Sequence, residues 1–178
     1  REKIRESMFE KYGSYSFFES DHFKSNIMLF QRKAHETKRK NGTLGAVVSK
    51  FEQKWIDYLV KTYPQYTIVT QYHDERYPYD CDCYVKELDL FIEFQGSYYH
   101  NWRPFNNSPE HIAEYEKMIG MGKQKQRIAN NWRYRDIEKR ETAKKNKLNF
   151  LEYWEKPYDN KQYSNDPIQH WFSIKEDN

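Results

Sequence analysis

Apolar positions in one stretch of the chain follow the spacing of a helix face. Between residues 49 and 62 they lie three or four positions apart: Phe51, Trp55, Tyr58 and Leu59. Ser49 precedes this stretch and Glu52 stands three residues later, which is the capping-box pattern of a helix start. We therefore predict a helix from Ser49 to about Thr62, ended by Pro64.

Three segments after this helix have the composition or the alternation of β-strands. Residues 66–73 are rich in β-branched and aromatic side chains, and residues 79–85 follow Pro78. Residues 88–96 alternate between two faces, with Leu88, Leu90, Ile92 and Phe94 on one and Asp89, Phe91, Glu93 and Gln95 on the other. The pair Lys86-Glu87 between the second and third segments predicts a hairpin turn.

Helices are predicted on both sides of these strands. They cover residues 1–13, 23–40, 109–119 and about 123–146. Residues 148–154 predict a fourth strand, and Asn165-Asp166-Pro167 is a good start for a last short helix. We expect an α/β (α+β) fold in the order αβββαβ, a mixed four-stranded sheet flanked by helices, with a helical N-terminal arm.

These patterns divide the chain into three parts. Residues 1–48 form a basic helical arm, either a DNA-binding repeat or a linker. Residues 49–160 form the main domain, and residues 161–178 form a short C-terminal helix that packs on its core. Because the chain starts without Met, we expect upstream residues to precede it.

Composition narrows the class of protein. The 178 residues suffice for one domain plus an appendage, and an aromatic content of 18% supplies large rings for a core. No apolar run approaches the ~20 residues of a membrane span. The only two cysteines, Cys81 and Cys83, lie too close together to bridge readily, which argues against a disulfide-built secreted domain. We expect a cytoplasmic protein without a membrane partner.

The net charge of +3 is unevenly distributed. Residues 1–48 carry +4 and residues 117–147 carry +8, so the rest carries −9. Basic zones suit a polyanion such as nucleic acid, whereas clustered carboxylates suit a bound cation. The alternative, that the basic helices are merely solvated faces, remains open on charge alone.

Carboxylates of two predicted strands are placed to meet. Asp80 and Asp82 share a face of the second strand, opposite the two cysteines, and Glu93 lies on the third. Carboxylates side by side repel unless one is protonated or a cation bridges them. Mg²⁺ suits such hard oxygen ligands. The alternative is an ordinary solvated sheet face.

The order and spacing of these residues resemble a known motif. Glu52, then Asp82, then Glu93-Phe94-Gln95 is similar to the PD-(D/E)XK nuclease superfamily, although Gln95 stands where the motif has Lys and Cys81 where it has Pro. Residues 49–155 resemble in more detail the very-short-patch repair endonucleases and the EDxHD homing endonucleases of phages. The stretches that carry this resemblance are Asp82, Gln95-Gly96-Ser97-Tyr98-Tyr99-His100, Trp132-Arg133-Tyr134-Arg135-Asp136 and Phe150-Leu151-Glu152-Tyr153-Trp154-Glu155.

This resemblance implies a metal site. Asp82 and Glu93 would be direct ligands of Mg²⁺, with Mn²⁺ able to substitute, the Phe94 backbone carbonyl a third ligand and Asp80 a spare one. A metal-activated water would attack the phosphate in line, leaving a 5′-phosphate and a 3′-hydroxyl. The repair enzymes also hold a structural zinc, but Ser97 stands where one of its cysteines would be, so we expect none here.

Three further residues have a catalytic and a structural interpretation each. Gln95 would orient the attacking water or a phosphate oxygen, or is a polar surface residue. Glu52 would reach the metal through water, or only closes the capping box. His100 would be a general acid or base, or a loop histidine bonded to backbone.

Other residues are expected to hold DNA or to position the basic helix. Asp136 would tie this helix to the active face by pairing with Arg133 or Arg140. The candidates for DNA phosphate contacts are Lys38, Arg39, Lys40, Lys123, Lys125, Arg127, Arg133, Arg135, Lys139 and Arg140. The N-terminal Glu10-Lys11-Tyr12-Gly13 resembles helical repeats that precede nuclease domains in phage and giant-virus homing-type proteins.

These expectations define a leading function and its competitors. The leading hypothesis is a Mg²⁺-dependent endonuclease of double-stranded DNA, of homing type, from a phage or large DNA virus. The alternatives are a mismatch-nicking repair endonuclease, a catalytically decayed DNA-binding protein on a nuclease fold, and an interaction protein without salt-dependent DNA affinity. A monomer would nick DNA, a homodimer can cut both strands, and the sequence leaves this choice open.

Overall fold

The computed structural model of the chain describes residues 2–15, 20–22, 26–42, 48–156 and 166–176. The chain separates into two compact units, Arg1–Gly45 and Ala46–Asn178. In the described ranges, the helices lack the combination of length and apolar character that a bilayer crossing requires.

The described part of the first unit has helices in both of the regions where helices were predicted. Helix α1 covers Glu2–Tyr12 and buries none of its residues. Gly13 ends it in the left-handed conformation that glycine adopts at low cost, with φ +65°. Helix α2 covers Ile27–Lys40, and its last turn presents three exposed cations, Lys38, Arg39 and Lys40. These three residues are called the α2 basic turn below.

The second unit follows the predicted order of elements. These elements are α3 (Lys50–Thr62), β1 (Ile68–Tyr72), β2 (Cys81–Val85), β3 (Leu90–Gln95), α4 (Pro109–Ile119), α5 (Lys123–Asn130), α6 (Asp136–Lys145), β4 (Asn149–Trp154) and α7 (Pro167–Glu176). The prediction of an α+β chain is therefore confirmed at this level.

The four strands form one mixed sheet in the order β1-β2-β3-β4. The pairs β1/β2 and β2/β3 are antiparallel, and the predicted hairpin turn is present as a short 3₁₀ segment, Lys86–Leu88. β3 and β4 are parallel, so the chain between them crosses from one end of the sheet to the other through α4–α6. The parallel register places Glu93 beside Glu152.

Both faces of the sheet are covered. Leu90, Ile92 and Phe94 pack into a cluster that includes residues of α3 and α7, while Phe91 packs on the other face with Ala143 of α6. All six residues of β3 are consequently buried, including Glu93 and Gln95. The alternation was predicted from sequence, but its polar face lies under a helix rather than in solvent.

The two cysteines do not share a face. Cys83 belongs to the cluster with Ile92, whereas Cys81 belongs to the cluster with Phe91. The regular alternation of β2 breaks at Asp82, where the neighbouring strand carries Gln71 at φ +48°. Both thiols are free and buried.

The long basic helix predicted between residues 123 and 146 is helical from Lys123 to Lys145. A five-residue π-helical turn, Asn131–Arg135, lies inside it between α5 and α6. It buries Trp132 completely, and the indole Nε1 donates a hydrogen bond to the Arg103 carbonyl at 2.6 Å. Because a π turn has more residues than an α turn, the faces of α5 and α6 are offset from those of an uninterrupted α-helix.

The last helix is fixed to the core by one carboxylate. Asp166 Oδ1 accepts hydrogen bonds from the backbone N–H groups of Ile168 and Gln169 at 2.9 and 3.0 Å. Its Oδ2 accepts from the hydroxyls of Tyr58 and Tyr63 at 2.9 and 2.7 Å. Asp166 therefore caps α7 and ties it to α3.

Candidate active site

Asp82 and Glu93 meet where the β2/β3 ladder ends. The last paired residues in that direction are Cys83 and Ile92, so Asp82 and Glu93 come next on their strands. Asp82 Oδ2 accepts a hydrogen bond from the Phe94 N–H at 2.9 Å, which fixes its side chain against β3. The Phe94 carbonyl, proposed above as a metal ligand, accepts from the Gly96 N–H at 3.1 Å.

Glu93 is held by two donors inside the protein. Its side chain is 1% exposed, and Oε1 accepts from the Tyr77 hydroxyl at 3.0 Å. Oε2 forms an ion pair with the Lys139 ammonium of α6, which is itself only 4% exposed. Lys139 was expected on the DNA-binding surface; the structure instead places it inside the site.

The charges of neighbouring site residues shift the pKa values of Asp82 and Lys139. Burial raises the pKa of Asp82 to about 7, and the negative charge of Glu93 adds to the rise while Lys139 opposes it. Burial alone would lower the pKa of Lys139, but the charges of Glu93 and Asp82 outweigh it and the net shift is upward. The raised pKa favours the charged form of Lys139, and its ammonium contacts Glu93 Oε2.

Glu52 is engaged as the predicted cap. The Glu52 N–H donates to Ser49 Oγ at 3.0 Å, and the Ser49 N–H donates to Glu52 Oε2 at 3.3 Å, so both bonds of the capping box are present. The other carboxylate oxygen, Oε1, accepts from Gln71 Nε2 at 3.0 Å. Burial raises the pKa of Glu52, and the negative charge of Glu93 adds to the rise. The two oxygens of Glu52 are hydrogen-bonded to the start of α3 and to Gln71 of β1.

Gln95 lies at the end of β3 with its amide fixed on one side. It is 1% exposed, and Nε2 donates to Glu152 Oε1 at 3.3 Å. Its Oε1 is buried and has no hydrogen-bond partner. An unpartnered buried amide oxygen is costly, which makes it a candidate ligand for a cation or a water.

Glu152 belongs to the site although the sequence did not single it out for a role. Burial raises its pKa to about 7, opposed by Arg140. Arg140 Nη1 donates to Glu152 Oε1 at 3.0 Å. Arg140, a predicted DNA contact, is therefore engaged with β4.

His100 is paired with Asp136. Its Nδ1 lies 2.8 Å from Asp136 Oδ2, and Asp136 is almost completely buried. Burial would lower the pKa of His100, but the charge and the hydrogen bond of Asp136 raise it overall. Asp136 thus pairs with His100, and not with Arg133 or Arg140 as the sequence had suggested.

One face of α6 carries the partners of three site residues. Asp136, Lys139 and Arg140 stand at positions i, i+3 and i+4, which share a face of a helix. They contact His100, Glu93 and Glu152, respectively. The spacing was visible in the sequence, but a polar helix face gives no signal that it is buried.

The remaining predicted residues are placed outside this cluster. Asp80 precedes β2, and its Oδ1 lies 3.1 Å from His73 Nδ1. Lys123 and Arg127 are exposed on α5, whereas Lys125 lies over the Tyr98 ring. Arg133 and Arg135 stack on aromatic rings, those of Tyr115 and Tyr79 among them.

The donors of the site fit a hard divalent cation in their chemistry. Two carboxylates and the unpartnered Gln95 Oε1 are oxygen ligands of the kind that Mg²⁺ prefers. Within the described ranges, however, no group of three or more His, Cys, Asp or Glu side chains is assembled to hold a metal ion. Lys139 occupies one oxygen of Glu93, so a cation would bind beside an ammonium that is already in place.

Comparison with protein-family models, with curated proteins and with solved structures finds no match for this chain.

Proposed function

We propose that the chain is a metal-dependent DNA endonuclease with a PD-(D/E)XK-type core, of the kind found in very-short-patch repair and EDxHD homing enzymes. The observation that carries the proposal is that Asp82 and Glu93 lie where the pairing of β2 and β3 ends, beside the buried ammonium of Lys139. The αβββαβ order and the burial of Gln95 next to Glu93 support it.

Asp82 and Glu93 would hold Mg²⁺, with Gln95 Oε1 as an additional oxygen donor. When bound, the ion would supply Lewis-acid stabilisation of the negative charge on a phosphate. Lys139 and Tyr77 hold the carboxylate of Glu93 in one orientation. Glu152 orients the amide of Gln95 by accepting its hydrogen bond.

His100 is suited to move a proton. Because Nδ1 faces Asp136, the other ring nitrogen, Nε2, is the one that can reach a substrate. Asp136 stabilises the protonated ring, which favours His100 as the general acid that protonates the leaving oxygen.

The DNA duplex would be bound by exposed cations outside the catalytic cluster. Lys123 and Arg127 of α5 are exposed, and so are the three cations of the α2 basic turn. Such contacts make affinity fall with salt, because phosphate binding releases counterions.

The experiment is a genome-wide map of cleaved ends. The protein is incubated with sheared phage and bacterial DNA, and with duplexes carrying single mispairs, in Mg²⁺ or in EDTA. We expect recurrent Mg²⁺-dependent ends that disappear in Asp82→Asn and persist in Asp57→Asn, a matched variant of an exposed carboxylate on α3. Asp82→Asn cleaving at the wild-type rate would overturn the assignment of Asp82, and ends confined to mispairs would indicate mismatch nicking.

A second function is favoured by one feature of the site. Lys139 already neutralises Glu93, and no three-ligand group is assembled in the part of the chain that the structure describes. A decayed nuclease that only binds DNA would look like this. It predicts salt-dependent DNA binding without new ends and without any effect of Mg²⁺.

A further inference from the structure

The end of β3 lacks a positive charge of its own. The motif that the strand resembles has Lys at the position of Gln95, and a neutral amide cannot replace that charge. The Gln95 amide nitrogen is also engaged elsewhere, because it donates a hydrogen bond to Glu152 on the neighbouring strand. Any ammonium that acts on Glu93 must therefore come from another element.

Lys139 of α6 brings an ammonium to that place. It contacts Glu93 Oε2 directly, and both side chains are almost completely buried. Because desolvation offsets the attraction, such a buried ion pair is only weak evidence for a stabilising role.

We propose that Lys139 of helix α6, together with Tyr77, holds Glu93 in one orientation and supplies the fixed positive charge of the site, which the neutral Gln95 cannot supply. Lys139 is thus a positioning residue that acts through Glu93. This inference rests on the proposed nuclease function and adds to it a residue on an element outside the strand motif.

The arrangement makes a relocation experiment possible. Lys139→Met removes the charge and keeps a long unbranched side chain, and Gln95→Lys returns an ammonium to the strand position. Lys61→Met, on the exposed end of α3, is the matched control for the loss of one lysine. Thermal unfolding checks the fold, electron paramagnetic resonance measures Mn²⁺ affinity, and cleavage with Mg²⁺ gives kcat and KM.

We expect Lys139→Met to lower kcat by about 100-fold, as loss of one fixed charge in an active site does. Its KM should stay within about threefold of wild type, since DNA contacts are elsewhere. Mn²⁺ affinity should be equal or higher, because the removed ammonium repels a cation. Adding Gln95→Lys should restore activity by about tenfold or more, while Lys61→Met behaves as wild type.

The results that would overturn the inference are distinct from failure of the proposed function. A wild-type protein that cleaves no DNA with Mg²⁺ or Mn²⁺ removes the function and the inference with it. If the wild type is active and Lys139→Met is equally active, only the role of Lys139 is overturned. Tighter Mn²⁺ binding in that equally active variant would show that the Lys139 ammonium merely opposes cation binding. If Lys139→Met does not fold, the double variant decides: it supports the inference by folding and cleaving, and any other result overturns it.

Discussion

At the scale of single residues, Glu152 is a carboxyl on which burial and charge act in opposite directions. Burial raises its pKa from 4.5 to about 7, although Arg140 lowers it. The folded protein therefore binds a proton at Glu152 more tightly than the unfolded chain does. This contribution favours folding below the unfolded pKa and is lost as the pH rises through about 7.

We expect Glu152→Gln to remove this pH-dependent contribution. The free energy of unfolding of the variant, relative to wild type, should rise between about pH 5 and about pH 8, by an amount on the order of 1–3 kcal/mol. Urea unfolding at the two pH values measures it. Glu141→Gln, on the exposed side of α6, is the matched control for the loss of one carboxyl from this helix. A constant or opposite difference for Glu152→Gln would contradict the raised pKa.

The sequence could predict some contacts between site residues but not others. Asp82 and Glu93 could be paired in advance because strand alternation and a hairpin are local features. Glu152 and Lys139 could not be paired with Glu93, because those contacts depend on a parallel crossover and on a helix more than 40 residues away. His100 and Asp136 were both singled out from the sequence, but not as partners of each other.

At the scale of elements, the start of α3 shows how one carboxylate serves two purposes. Ser49 and Glu52 form the reciprocal bonds of the capping box, as predicted from their spacing. The second oxygen of Glu52 binds Gln71 and so ties α3 to β1. The sequence could predict the cap because its signal lies within four residues, but not the tie to β1.

We expect Ser49→Ala to lower the free energy of unfolding by about 1 kcal/mol, since it removes the acceptor for the Glu52 N–H. Ser49→Thr keeps the hydroxyl and should lose much less. Chemical denaturation compares the two. If Glu52 serves only as cap and tie, Ser49→Ala cleaves DNA at the wild-type rate under native conditions. Equal stability of the alanine and threonine variants would show that the capping bond contributes little.

The basic stretch after α4 is one continuous helical segment, as the sequence predicts, with a π-helical turn between α5 and α6. Periodicity could not locate that turn, because Trp132 is buried by contacts with Phe105 and His111 that lie far away in sequence. The polar face of α6 contacts residues of the sheet, whereas Lys123 and Arg127 of α5 are exposed.

At the scale of the whole molecule, basic side chains that are neighbours in the sequence have different environments in the structure. The basic side chains of residues 117–147 are divided between the carboxylate cluster, aromatic stacking and solvent. Composition predicted a polyanion partner from their sum, but only the exposed fraction is available to bind one. The three side chains of the α2 basic turn are exposed, so the DNA contacts that we propose for them can be tested by substitution.

We expect the triple variant Lys38→Gln/Arg39→Gln/Lys40→Gln to weaken binding to any duplex DNA and to leave kcat unchanged. If all three cations contact phosphates, the slope of log affinity against log salt should fall in magnitude by about 2–3, because each contact releases close to one counterion. Fluorescence anisotropy over a range of KCl concentrations measures the slope. The matched control neutralises three exposed lysines of the second unit, Lys54, Lys61 and Lys86. An equal change of slope in both variants would mean that the α2 basic turn acts only through net charge, whereas a change confined to the first makes the N-terminal unit part of the DNA-binding surface.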